Sequence, residues 1–573
     1  QSAIADVGDR KALRLSAGTL NIHDQGLGVL KSTLKFRMLG SIGDLSTLLD
    51  QPGLAAFKGK DLDLENMQGN LDAKLDMSFL MSRKKMDPEF VFAAKAKLTS
   101  LIIEEFAGEA PLKNGRLDLA IRDGGLTASG TGELFAAPVR LKMVKPAGRP
   151  MTGTLDLVLD DAARKQMGWD TKDVLSGPVK VKVTAAMDLK SNGNAGGKKA
   201  NDLRGKVTLD LTRASIRGLA PGLEKSAGEA AIADLNLTMA GKAVMVRDLV
   251  YRSAGFSARG ALDFNKDRAF VSARLTQLKF SPGDDLRADV RNGPDGVRVA
   301  ITGAAIDLRP FISGKLKPPD RPGGSKVNLS INTGIATGFN SQILSGFRMA
   351  VGKDQGGISA FSLTARAGRS PFNGRLVRRD KDGPLLEITG SDGGTFLAFM
   401  DVYSRMRGGD MRLRAKVNES GVAGVLDVRN FLLRNENALK QLVAQGNRQS
   451  DQRAGRSLDA SSVPFQKLRF GFQRNASALN IRDGILSGPE IGLTLSGLLD
   501  FRRQKVAMSG TFVPAYGLNN AFARIPLFGT LLGGGKNEGL LGVNFRVSGR
   551  PDKPVLTVNP LSAIAPGFLR KIF

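Results

Sequence analysis

Adjacent carboxylates at Asp160-Asp161, Asp284-Asp285 and Glu104-Glu105 are residue types that can divide general-acid and general-base work. None has a partner at a nameable spacing, and such pairs are common at turns. His23 is the one histidine and cysteine is absent. That excludes disulfides, thiolate metal sites, cysteine nucleophiles and any multi-histidine metal site. His23 lies in Asn21-Ile22-His23-Asp24-Gln25-Gly26, which reads as a solvated loop. The nearest approach to a phosphate loop is the glycine-rich stretch Gly529-Thr530-Leu531-Leu532-Gly533-Gly534-Gly535-Lys536-Asn537. It lacks the glycine six residues before the lysine and the hydroxyl residue after it, so it reads as a turn. No catalytic constellation emerges, and the expectation is a protein that is no enzyme and carries no cofactor or metal.

Charge is the other chemical signal. The chain carries 83 basic and 55 acidic residues, a formal +28, which favours anionic partners. The basic residues are dispersed on alternate positions, as in Arg140 and Lys142, or Arg412, Arg414 and Lys416. That is the pattern of a solvated sheet face, and it also suits a rim that meets anionic lipid. Nucleic acid is disfavoured, because aromatics are only 6% of the chain, with one Trp and three Tyr to serve as stacking platforms.

The elements that must position these residues are strands. Val179, Val181 and Val183 alternate with Lys180, Lys182 and Thr184. The same grammar recurs at Leu155, Leu157 and Leu159, at Val207, Leu209 and Leu211, and in runs from Leu71–Phe79 to Val543–Val547. Period two gives a strand one apolar and one wet face. Turn signals separate the runs, including Arg122-Asp123-Gly124-Gly125, Arg291-Asn292-Gly293-Pro294-Asp295-Gly296 and Arg482-Asp483-Gly484, all read as hairpin turns. The expected class is mainly all-β: an elongated, twisted antiparallel sheet forming an apolar groove, with a few short helices mostly towards the C-terminus. The nine residues Leu155, Leu157, Leu159, Val179, Val181, Val183, Val207, Leu209 and Leu211 are expected to line that groove, with their polar alternates outside.

Along the chain, β-groove segments are expected over 1–190, 202–313 and 325–390. They are separated by a Gly/Asn-rich stretch at 191–201 and a Pro/Gly-rich stretch at 314–325. A C-terminal region, 391–573, carries candidate helices near 395–406, 435–445 and 516–532. The first of these has Thr395 as N-cap and Phe396, Phe399, Met400, Tyr403 and Met406 on one face. Earlier short helices are expected at Gly43–Phe57 and Asp160–Trp169. The repetition is loose. Leu117–Leu126 parallels Leu479–Leu486, and Gly260-Ala261-Leu262-Asp263-Phe264 parallels Gly497-Leu498-Leu499-Asp500-Phe501.

The C-terminal stretch is distinctive: Ile525-Pro526-Leu527-Phe528-Gly529, then Gly542-Val543-Asn544-Phe545-Arg546-Val547-Ser548-Gly549. Pro551, Pro554, Val558-Asn559-Pro560-Leu561-Ser562 and Ala565–Phe573 follow. Over about 480–573 this resembles the AsmA-like C-terminal domain of the YhdP and TamB type, in its alphaproteobacterial form. Upstream, only the strand grammar and the helix near 395–406 agree. The resemblance implies a large protein of the Gram-negative envelope, anchored in the inner membrane by an N-terminal helix that this chain lacks, and projecting into the periplasm. It further implies a long β-sheet groove that conducts phospholipids between inner and outer membranes. Both membranes, phospholipids and envelope proteins would be its partners. The tail residues Phe568, Leu569, Arg570, Lys571, Ile572 and Phe573 place apolar anchors beside cations, which suits a membrane interface or a partner; a tail folded back on the sheet is the alternative.

Two other readings stay open: a non-catalytic structural or assembly factor for the outer membrane, and an outer-membrane barrel. Pro566-Gly567 and the scarcity of Tyr and Trp count against the barrel.

Overall fold

The computed structural model describes residues 3–7, 10–24, 29–50, 64–82, 91–107, 110–171, 173–187, 203–218, 223–240, 243–314, 326–355, 357–380, 383–418, 421–436, 461–475, 477–489, 491–514, 543–551 and 553–559. Two units divide the chain, Gln1–Leu275 and Thr276–Phe573. Both linker-like stretches, 191–201 and 314–325, lie almost wholly outside the described residues, as do the candidate helix at 516–532 and all but the first two residues of that at 435–445.

In the first unit the strands are β1 (Ala3–Val7), β2 (Arg10–Asp24), β3 (Val29–Ser41), β4 (Met67–Ser82), β5 (Val91–Ala107), β6 (Ala110–Arg122), β7 (Gly125–Leu134), β8 (Ala137–Lys145), β9 (Met151–Leu159), β10 (Leu175–Ser176), β11 (Val179–Met187), β12 (Leu203–Asp210), β13 (Ser215–Ile216), β14 (Ala231–Ala240), β15 (Ala243–Ser253) and β16 (Ser257–Phe264). The unit boundary falls inside β17 (Phe270–Lys279). The second unit holds β18 (Asp285–Gly293), β19 (Gly296–Asp307), β20 (Val327–Thr337), β21 (Ile343–Asp354), β22 (Gly357–Ala367), β23 (Ser370–Asp380), β24 (Gly383–Gly390), β25 (Met406–Asn418), β26 (Gly421–Arg434), β27 (Ser462–Arg474), β28 (Ala478–Ser487), β29 (Ile491–Asp500), β30 (Lys505–Pro514), β31 (Val543–Arg550) and β32 (Lys553–Asn559). Each unit is an antiparallel meander in which successive long strands pair; β10 and β13 pair with each other, and Ile216 of β13 also bridges Lys225. The all-β expectation holds. One step breaks the meander: β19 and β20 are parallel, Val297 opposite Val327 and Asp307 opposite Thr337. Alternation looks the same in either chain direction, so period two carries no sign of this reversal.

Among the described residues the α-helices are α1 (Ile42–Leu49), α2 (Asp161–Gln166), α3 (Arg309–Ile312) and α4 (Gly393–Phe399). α1 and α2 start where expected and are shorter. α4 begins before Thr395, because Asp392 is the better cap: its carboxylate accepts from Thr395 N at 2.9 Å and Thr395 Oγ1 at 2.8 Å. It stops at Phe399, followed by Asp401 at φ 56°, so Tyr403 lies beyond the helix and Met406 opens β25.

Many strands are longer than one uninterrupted alternation can serve, and single residues in the left-handed region reset the phase. In β28, Leu479 and Ile481 are buried, then Asp483 takes φ 50° and Gly484 is the next buried position. The register against β29 slips at the same point. Asn114 in β6 and Asp248 in β15 do the same, at φ 51° and 49°, with register slips beside them. Each is a bulge that returns the apolar residues to one face. Arg482-Asp483-Gly484 is therefore mid-strand and not a hairpin turn, whereas Arg122-Asp123-Gly124-Gly125 does turn between β6 and β7. The two read alike because both need the same left-handed residue. His23 is likewise an exposed strand residue opposite Lys31, not a loop residue. Asp and Asn tolerate the left-handed conformation and β-branched residues do not. Asp483→Val should lower stability by about 1–2 kcal/mol, while Asp483→Gly leaves it nearly unchanged. Denaturant titration followed by far-UV circular dichroism checks this, and equal midpoints for the two variants would count against the bulge.

Candidate apolar groove

The nine residues expected to line a groove share one face. Register connects Val139 of β8 to Leu157, Val181, Leu209, Ala233, Tyr251 and Ala258, one per strand across seven strands. The next row runs Leu141, Leu155, Val183, Val207 and Leu235. Leu159 and Val179 oppose each other on the same face, and Leu211 follows β12, its N–H donating to Ala231 O at 2.9 Å. Leu157, Leu159, Val179, Val181, Val207 and Leu211 are buried; Leu155, Val183 and Leu209 are half-buried.

The polar alternates form the opposite face, where Arg140, Asp156, Lys182, Thr208 and Asp234 follow one another in register. Ion pairs there are surface pairs, such as Arg252 with Asp234 at 3.2 Å, and each adds little. In the second unit Glu387 is held by Arg375 at 2.8 Å and Arg414 at 2.9 Å. Hydrogen bonds from these two guanidinium groups keep its carboxyl below the usual carboxylate range. The dispersed basic residues thus belong mainly to the wet face.

A single sheet leaves its apolar face uncovered unless it curls, and side-chain contacts show that it does. α2 is fixed to the end of β9 by Arg164, which donates to Leu159 O at 2.9 Å and to Gly177 O at 2.8 Å. Trp169 N returns to Arg164 O at 2.9 Å, so Trp169 stays beside that end. Its ring nevertheless meets Phe264 edge-on, with centroids 5.0 Å apart. On a flat sheet Phe264 would stand ~24 Å sideways and ~20 Å along the strands from the Leu157 row. The β9-to-β16 part of the sheet therefore bends until opposite strand ends face each other, and Trp169 bridges them. At the start of this unit α1 lies against β1 to β4; Leu13, Met38, Ile42, Met67 and Leu71 are buried. Beyond the left-handed Ala17 the face opens, leaving Leu20 58% and Ile22 53% exposed.

The second unit repeats the device with different chemistry. Ile312, at the end of α3, accepts a hydrogen bond from Arg474 Nη2 at 3.2 Å. α3 follows β19, while Arg474 ends β27, eight strand spacings or ~38 Å away if the sheet were flat. Arg474 also covers the ring of Phe501, 5.5 Å from its centroid. The two rim phenylalanines, Phe264 and Phe501, close the two matching runs Gly260–Phe264 and Gly497–Phe501. The leading glycines are matched too, since a Cβ on Gly260 would lie 2.1 Å from Arg274 O and one on Gly497 2.3 Å from Ala507 O. The repeat was visible in the sequence; its role at a rim was not, because nothing local says what the phenylalanine meets.

Two of the acidic pairs have structural roles. Asp160 caps α2, Asp161 pairs with Arg164, and Asp284 accepts from the N–H groups of Phe280, Ser281 and Asp307. Among the described residues no group of three acidic or histidine side chains is arranged for a metal. The glycine-rich stretch Gly529–Asn537 and the tail residues Phe568, Leu569, Arg570, Lys571, Ile572 and Phe573 lie outside the described residues. No family model, curated protein or solved structure matches this chain. Trp169 is the sole tryptophan, so its emission reports the rim contact directly. Phe264→Ala should shift that emission to longer wavelength with far-UV circular dichroism unchanged; an unmoved spectrum would show that the two rings do not meet in solution.

Proposed function

We propose that this chain is part of a lipid conduit of the Gram-negative envelope, an AsmA-like protein that moves phospholipids through the periplasm between inner and outer membranes. The observation that carries this reading is the apolar row from Val139 to Ala258, continuous over seven strands on a curled sheet. The exposed Leu20 and Ile22 on the apolar face at its start add to it. The C-terminal resemblance over about 480–573 supplies the envelope setting. No chemical step is involved, and the work is done by transfer from water.

Each acyl methylene taken from water is worth about 0.8 kcal/mol. Strand after strand offers nearly the same apolar surface, so a chain displaced by one strand loses and regains similar contacts and can slide. At the mouth, basic side chains of the wet face favour the phosphate of head groups. The burial of Leu157, Val181 and Val207 by the chain's own atoms favours a second reading, a closed structural scaffold.

Mass spectrometry of lipid extracted from the purified chain separates the two. Bound phospholipid is expected, and its absence from protein made in a Gram-negative host would sink the conduit reading. Val181→Asp and Leu209→Asp place an unpaired carboxylate among acyl chains; both should lower bound lipid severalfold while β content persists. Deleting Leu561–Phe573 tests the tail as a delivery end. The truncated protein should keep its lipid yet fail to restore envelope function in cells, whereas loss of lipid on truncation would assign the tail to the groove itself.

A further inference from the structure

Arg474 stands on the wrong face of its strand for a charged residue. In β27, Leu468, Phe470 and Phe472 alternate with Arg469, Gly471 and Gln473, and the next apolar-side position is Arg474. Register confirms the placement. Arg474 lies opposite Val422 on one side and Leu479 on the other; the same row continues to Val417, Leu499 and Val506. Across β25 to β30 the positions on this face are otherwise apolar or glycine, so Arg474 is a cation set into an apolar floor.

Among the described residues the groups in contact with it carry no charge. Nη2 donates to the Ile312 carbonyl at 3.2 Å and the guanidinium covers Phe501. The carboxylate that acts on it, Asp401, does so through space, and burial pushes the guanidinium's pKa down. Among the described residues this half-buried guanidinium is held by one carbonyl and one ring, with Asp401 acting only through space, so it keeps donors for a further acceptor, and a half-buried charge with no counter-charge in contact is costly. The site is therefore poised for an anion. Beside it, on the same strand and face, Phe470 and Phe472 are half-buried with ring centroids 6.3 Å apart.

We propose that Arg474 binds the phosphate of a glycerophospholipid whose acyl chains lie along Phe472 and Phe470, a head-group station inside the conduit. The assignment rests on the conduit reading. A planar guanidinium matches two phosphate oxygens at once, which an ammonium does not. The same chemistry would accept soluble phosphate, so the test must separate the two sources.

The full chain, stripped of lipid, is incubated with vesicles of phosphatidylglycerol or with diacylglycerol of the same acyl composition, and bound lipid is quantified by mass spectrometry. Wild type, Arg474→Gln and Arg474→Lys are compared, with far-UV circular dichroism and Trp169 emission as controls on folding. Arg474→Gln should lower phosphatidylglycerol loading about ten-fold and leave diacylglycerol loading unchanged; Arg474→Lys should fall between wild type and Gln. Equal loss of both lipids would make Arg474 a structural latch on Ile312, and loss of neither would leave it no part in binding; either result overturns the proposal. Equilibrium dialysis against inorganic phosphate addresses the other source. Phosphate retained by the wild type but not by Arg474→Gln, with both lipids loading equally in the two proteins, assigns the site to soluble phosphate and overturns the head-group assignment. A wild type that loads neither lipid defeats the conduit reading itself, an outcome distinct from a wild type that loads both while Arg474 makes no difference.

Discussion

A sheet one layer thick has an apolar face and nothing of its own to pack on it. The hydrophobic effect then acts as a bending force, drawing the strands inwards until their ends approach. That bending needs long strands whose apolar residues never leave the inner face. Strict alternation cannot deliver both, because every kink that bends a strand also threatens its phase. Asn114, Asp248 and Asp483 reconcile the two demands: each spends one residue in the left-handed region and restores the phase in the same step. Where the apolar row from Val139 to Ala258 crosses β15, Asp248 is the residue that keeps Val246 and Tyr251 on one face.

Closure is not symmetrical. In the first unit α1 follows β3 and α2 follows β9, strands that run in the same direction because an even number of antiparallel steps separates them. In the second, α3 follows β19 and α4 follows β24, and the parallel β19–β20 step preserves the same agreement. Within each unit the helices therefore hang from one rim, facing hairpin ends on the other. The contacts that join the rims differ in kind. Trp169 on Phe264 is apolar and indifferent to charge, whereas Arg474, lying over Phe501 of its own rim, reaches across to Ile312 and brings a cation to the trough.

Much of the inner face was legible because it depends on period two alone. Leu155, Leu157, Leu159, Val179, Val181 and Val183 fall where alternation puts them, and their neighbours follow by pairing. Features that need a second strand were not. Whether Asp483 turns the chain or bulges it depends on what lies opposite, and Arg482-Asp483-Gly484 reads the same in both cases. The sequence pattern overextends α4 because Met400, Tyr403 and Met406 continue its apolar face past Phe399, where Asp401 in the left-handed region follows the end of the helix. Arg474 was visible as a break in the apolar register of β27, but its significance required knowing that Val422 and Leu479 flank it.

The parallel pair has a consequence for how the chain acquires its structure. A meander can assemble by accretion, each hairpin closing a short loop in microseconds against the strand before it. At β19 this stops. Asp307 must be followed by a return over the whole strand length before Val327 can lie beside Val297. That closure carries a larger entropy cost and a longer sequence separation than any neighbouring hairpin, and rates fall as such separations rise. Strands β20 to β24 can zip with one another meanwhile, so two preformed blocks would wait on a single docking event. A chain delivered from its N-terminus, as in secretion, would expose the free edge of β19 during that pause.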